Sequence, residues 1–183
     1  MINNTSIISA TKQWITTFII QHNVCPFAKH EYDNDNIAYL VIDEDLLENQ
    51  LHALIVACQE LDSDKTIETS LLILPEGLKD FDDYLDLLAL ANELMHKQGY
   101  EGVYQLASFH PDYCFEGVDA DDTSNYTNRS PYPMLHLIRE ASLEKALKNY
   151  PHPENIPVRN IKYLRELGSE QAKKILKQCF RRA

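Results

Sequence analysis

Apolar residues follow two rhythms along the chain. Between residues 5 and 22, Ile8, Thr11, Ile15, Phe18, Ile19 and His22 recur three or four apart. This spacing predicts an amphipathic helix, entered through Asn4 or Thr5 as cap and stopped near Pro26. IAYLVI, residues 37–42, is a short β-branched and aromatic run and reads as a strand. Asp43, Glu44 and Asp45 then favour a helix N-terminus, with Leu47, Leu51, Leu54, Ile55, Cys58 and Leu61 as its apolar stripe. Cys58 in that stripe is expected to be a packed small hydrophobe.

TIETSLLILP, residues 66–75, is a second strand ended by proline. A third helix is expected from Asp80 to Gln98, with Phe81, Tyr84, Leu85, Leu88, Ala91, Asn92 and Met95 on one side and Gly99 as its C-terminal cap. VYQLASF, residues 103–109, is the third strand. Residues 110–130 then lose all periodicity. A polar segment this long is usually functional or disordered, and Tyr113, Phe115 and Tyr126 favour an ordered functional loop. After it, Ser130 as cap and Pro131 at the first position predict a helix reaching about Asn149. A proline-rich connection leads to two final helices, 156–167 and 169–181, meeting at Gly168-Ser169. The expected fold class is α/β (or α+β), in a single domain over 1–183. At least three strands alternate with helices in a partly parallel sheet, and helices follow at the C-terminus.

Composition narrows the range of partners. The chain has 183 residues, 44% of them hydrophobic, enough for a sizeable core. A net charge of -11, from 28 acidic against 17 basic residues, argues against nucleic acid and anionic lipid as broad partners. The basic segment KKILKQCFRRA suits the C-terminal end of a helix dipole. The sequence has no apolar run long enough for a membrane span and no secretory signal pattern. Cys25, Cys58, Cys114 and Cys179 form neither a CxxC pair nor a zinc-finger spacing, so reduced thiols in a cytoplasm are the simplest reading.

The residues that carry chemistry gather in three stretches. In FHPDYCFEG, His110 and Asp112 fall just beyond the third strand, the edge where open α/β sheets bind ligands. In NRSPYPMLHLIRE, helical spacing puts His136, Arg139, Glu140 and Leu143 on one face. Arg129 has the planar fork for a carboxylate or phosphate, and Asn128 could orient a histidine or hold a carbonyl. In VCPFAKH, Cys25 stands at the C-terminal end of the first helix, where the dipole would raise its pKa. It reads equally as an activated nucleophile or as a buried thiol in a tight turn.

NVCPFAK, FHPDYCF and DDTSNYTNRSPYPMLHLIREASLEKAL together resemble a family of uncharacterised bacterial proteins, classified only as a domain of unknown function. The resemblance covers nearly the whole chain. It implies that Cys25, Pro26, Phe27, His110, Pro111, Asn128, Arg129, Ser130, Pro131, Pro133, His136, Arg139 and Glu140 stand at the family's signature positions. It implies no activity.

The expected function is a small cytoplasmic enzyme acting on a small anionic substrate. Cys25, His110 and His136 would be catalytic, and Asn128, Arg129, Arg139 and Glu140 would bind substrate. Cys25, His110, Arg129, His136 and Arg139 would converge at the carboxyl ends of the strands. The alternatives are a metal or haem site using Cys25, His110, His136 and Glu140, and a non-enzymatic interaction module built on the same residues.

Overall fold

A computed structural model describes residues 3–180; residues 1–2 and 181–183, the latter including the end of the basic tail, lie outside the described residues. The first helix, α1 (Asn4–Trp14), is capped one residue earlier than the pattern suggested: Asn3 Oδ1 accepts the Ser6 amide at 2.8 Å. It does not continue as a regular helix. Residues Ile15–Ile20 widen into a π-helix. Thr11, Thr16 and Thr17 each donate a hydroxyl to a carbonyl four residues back, a competition with the main-chain ladder that bends helices. The buried stripe is Ile7, Ala10, Thr11, Trp14, Ile15, Phe18 and Ile19, so Ile7 takes the place expected of Ile8.

After the short α2 (Ala28–Asp33) come β1 (Ile37–Val41), α3 (Leu47–Ser63), β2 (Thr69–Ile73), α4 (Phe81–Lys97) and β3 (Tyr104–Phe109). The acidic run Asp43, Glu44 and Asp45 precedes α3 and lies outside it. Leu46 occupies the cap position and Leu47 is 43% exposed, outside the stripe expected of it. α4 follows its pattern more closely. Asp80 Oδ1 accepts the Asp82 amide at 2.8 Å, and Gly99 takes the left-handed φ of 80° that a side chain resists.

The main departure lies after the long loop. Residues 130–149 do not form one helix. Met134–Arg139 is a strand, β4, and only Glu140–Lys148 is helical, as α5. Ser130 does not cap a helix; its hydroxyl donates to the Tyr132 carbonyl at 2.6 Å. Pro131 and Pro133 bias the residues before them toward extended backbone, which leads directly into the strand. β4 then sends Met134 into the core on one face and Leu135 and Leu137 into the core on the other. A strand buried on both faces presents a continuous apolar run, and periodicity alone does not tell such a run from a helix.

The sheet order is β1-β2-β4-β3. β1 and β2 are parallel, with Ile37 opposite Thr69. β4 runs antiparallel to both neighbours, and Met134 stands opposite Ile73 on one side and Phe109 on the other. β1, β2 and β3 therefore point one way, and β4 fills the gap between β2 and β3. Side-chain alternation divides the core. Leu71, Ile73 and Met134 pack on α1, the π-helix, α6 (Ile156–Leu167) and α7 (Ser169–Gln178). Leu72, Leu74, Leu135 and Leu137 pack on α3 and α4 around Tyr84, and Cys58 is fully buried there, as its place in the stripe required.

Candidate functional site

The sheet face toward α1 is not fully covered. A cavity of about 340 Å³ opens over Ile37, Thr69, Leu71, Ala107, Phe109, His136 and Ile138. Trp14 and the π-helix residues Ile15 and Ile19 form one wall, Val24, Cys25, Phe27 and Ala28 a second, and Ser142, Leu143 and Ala146 of α5 a third. Its size falls in the range of small-molecule sites. Single-turn π-helices occur frequently at functional sites, and this one supplies part of the wall. A second depression, of about 790 Å³, runs along residues 167–178 but is lined by consecutive residues of one surface segment and has no facing wall.

His136 stands at the middle of the floor, opposite Leu71 on β2 and Ala107 on β3. Its Nε2 lies 2.5 Å from Thr69 Oγ1. That hydroxyl donates its hydrogen to the Leu137 carbonyl at 2.7 Å, so it can only accept from the ring. The tautomer follows: Nε2 carries the proton and Nδ1 is an acceptor. Nδ1 has no partner among the described residues and is not sealed off, since Ser70 Oγ is the one fully buried side-chain polar atom there without a hydrogen bond. Burial pushes the imidazole down to about 4 from its ordinary 6.5.

Cys25 lines the same cavity. It does not end the first helix. A turn through residues 21–24 intervenes, and Cys25 precedes α2. Asn23 takes a left-handed φ of 51°, and Asn160 Nδ2 donates to the Val24 carbonyl at 2.7 Å. Arg159 donates to the Asn23 carbonyl. Burial raises the thiol pKa, and the main-chain amides of Phe27 and Ala28 next to it oppose the rise, as does the charge of Arg159. The dipole of the preceding helix, expected to act on Cys25, is not the governing influence. Thiol and imidazole thus both rest uncharged near neutral pH.

Asn128 is the third expected residue in the lining. Its Nδ2 donates to the Ser108 carbonyl at 2.9 Å, which ties the end of the long loop to β3. His110, Arg129, Arg139 and Glu140 lie outside the lining. His110 is fully buried between Phe81 and Tyr84, with ring centroids 5.2 Å away. Its Nδ1 accepts the Asp112 amide at 3.0 Å, so its Nε2 donates to the Leu78 carbonyl at 3.0 Å. Burial lowers its pKa. Both ring nitrogens hold the loop in place.

Arg129 donates to the carbonyls of Tyr113 and Ala120 at 3.0 and 2.8 Å and lies over the Tyr126 ring, while its own carbonyl accepts Trp14 Nε1 at 3.1 Å. Arg139 points to the opposite sheet face. It donates to the carbonyls of Ile67 and Asp64 at 3.1 and 3.0 Å, to Tyr104 Oη at 3.2 Å and to the Leu61 carbonyl. Glu140 opens α5, and its amide donates to the Val103 carbonyl at 3.0 Å. The helical face proposed for His136, Arg139 and Glu140 does not form, because alternation along β4 sends His136 and Arg139 to opposite sides. No group of three His, Cys, Asp or Glu side chains able to hold a metal occurs among the described residues.

Thr69, Glu31, Glu68, Thr127 and Ser142 complete the polar part of the lining, and periodicity gives no sign of them. Thr69 had one available signal, a hydroxyl inside an apolar strand. The molecule is thus a mixed four-stranded α/β protein with a small-molecule-sized cavity on one sheet face. It belongs to the family described as "Protein of unknown function (DUF1415)", whose model matches residues 6–174. Among curated proteins and among solved structures, nothing matches the chain.

Two outcomes follow from these contacts. Arg139→Ala removes a donor from three carbonyls and is expected to lower stability by about 2–4 kcal/mol in urea denaturation, with Arg139→Lys recovering only part. A loss under about 0.5 kcal/mol would place the guanidinium outside the structural framework. His136 has a lower pKa folded than unfolded, so protons favour the unfolded chain. Its contribution is complete above about pH 6.5 and is lost as pH falls toward about 4, by up to about 3 kcal/mol. His136→Gln is expected to flatten that part of the stability profile, and an unchanged slope would contradict a buried neutral imidazole.

Proposed function

We propose that the protein acts on a small organic molecule held in the sheet-face cavity, with His136, Cys25 and Asn128 as the polar end of the site. The observation that carries this reading is the imidazole. One nitrogen is locked by Thr69, and the other is an acceptor without a partner among the described residues, inside a mostly apolar cavity. An acceptor without a protein partner is left to water or a ligand, and core packing gives no reason for one here. A bound molecule would supply that donor. The arginines expected to grip an anion are engaged with main-chain carbonyls, which speaks against a small anionic substrate.

A nucleophilic enzyme is a second reading. It is favoured by the amides of Phe27 and Ala28 and the charge of Arg159, which all support a thiolate at Cys25. Burial outweighs them, so the first reading expects an unreactive thiol.

Amide NMR with a panel of neutral aromatic fragments tests the site. Shifts are expected to cluster at Trp14, Cys25, Asn128 and His136, and Ala146→Phe, which projects a ring into the cavity, is expected to weaken binding by about tenfold or more. Fragments that perturb none of these residues would overturn the proposal. Mass-resolved alkylation of Cys25 at pH 7 separates the two readings: a rate below that of free cysteine agrees with the first, and a faster rate transfers support to the second.

A further inference from the structure

We infer that the molecule this cavity takes is a small cationic amine with an apolar body, recognised as a donor of hydrogen bonds. The inference rests on the cavity being the ligand site, and it comes from following every polar side chain in the lining to its partner. Most of the donors are engaged. Trp14 Nε1 donates to the Arg129 carbonyl at 3.1 Å and Thr69 Oγ1 to the Leu137 carbonyl at 2.7 Å. Thr127 Oγ1 donates to the Ser124 carbonyl at 2.7 Å, Asn128 Nδ2 to the Ser108 carbonyl at 2.9 Å, and Ser142 Oγ to Glu68 Oε2 at 2.6 Å. His136 Nε2 is bound to Thr69. What remains is almost entirely acceptor: His136 Nδ1, Asn128 Oδ1 and one oxygen each of Glu31 and Glu68. The side-chain donors left in the lining among the described residues are the second hydrogen of Asn128 Nδ2 and the Cys25 thiol, and thiols donate weakly.

Charge points the same way. The lining holds two carboxylates, Glu31 and Glu68, and no lysine or arginine among the described residues. Arg139 stands 3.9 Å from Glu68 and offsets part of that charge, while Glu31 has only the neutral Asn36 amide, at 2.8 Å, as side-chain partner among the described residues. The two acids are close in the fold: Asn36, which donates to Glu31, accepts the Glu68 amide on its carbonyl at 2.9 Å. An anionic ligand would meet like charge and few donors. An ammonium group finds carboxylates at the amino-terminal edge of β1 and β2 and neutral acceptors deeper in, with Trp14, Phe27 and Phe109 available for its apolar body.

The test is a set of calorimetric and amide-NMR titrations of the whole chain at neutral pH with three probes of related shape: 2-phenylethylamine, 2-phenylethanol and phenylacetate. The amine is expected to bind at least about tenfold more tightly than the carboxylate and to shift Asn128 and His136. A carboxylate that binds as well as the amine, at the same residues, overturns the inference and leaves the cavity as a ligand site. Binding by none of the three at these residues overturns the site as well. In the double variant Glu31→Gln with Glu68→Gln, the preference for amine over alcohol is expected to fall by about threefold or more, with alcohol affinity retained. An unchanged preference in that variant rejects the carboxylates as the source of selection.

Discussion

The fold depends on one strand entering a gap. β2 and β3 point the same way and leave room for one partner between them, and β4 fills it by running backward. Its ladder bonds join the two halves of the sheet, and its side chains feed both cores. The strand needs both neighbours, because its apolar residues alternate between two separate helix layers. Placing Leu135 and Leu137 against α3 and α4 forces His136 to the other face. The position of the imidazole is therefore a by-product of core packing on the far side of the sheet.

The long loop answers to the same seam. Its polar residues look reactive in one dimension, yet most of them hold main chain. His110 ties Leu78 to Asp112, Arg129 ties Tyr113 to Ala120, and Asn125 receives the Phe115 amide at 3.0 Å while donating to the Asp119 carbonyl at 2.8 Å. A loop of this length has few main-chain partners of its own, so side chains must satisfy its carbonyls. Asp122 joins it to α6 through Arg165 at 2.7 Å, which holds the carboxyl well below the usual carboxylate range. The rigid loop then presents Asn128 beside Phe109, at the edge of the cavity.

Elements whose apolar pattern has a single period were legible in the sequence. α4 with Asp80 as cap, β1, β3 and the break at Gly168 stand where local rules put them. β4 was hidden because burial on both faces erases the alternation that identifies a strand, and the helix-like spacing of His136, Arg139 and Glu140 then suggested a shared face that does not exist. The candidate site was legible only where residue type and position coincide. Cys25, Asn128 and His136 stood out as chemistry without a core role, and they do line one cavity. The use of His110, Arg129 and Arg139 as ties to carbonyls could not be read, because those carbonyls are 9 to 78 residues away and belong to main chain that carries no sequence signal.

The seam also sets the order in which the molecule can be made. β1 and β2 leave the ribosome with α3 between them and can pair at once, but the other edge of β2 has no neighbour until residue 139 has been synthesised. During that interval an apolar strand stands with its main-chain donors and acceptors open, the condition under which strands add to the wrong partner. β3 emerges earlier than β4 and does not close the gap itself, since it stands one place too far out. Synthesis of the last third of the chain is therefore what converts a half-built, adhesive sheet into a closed one.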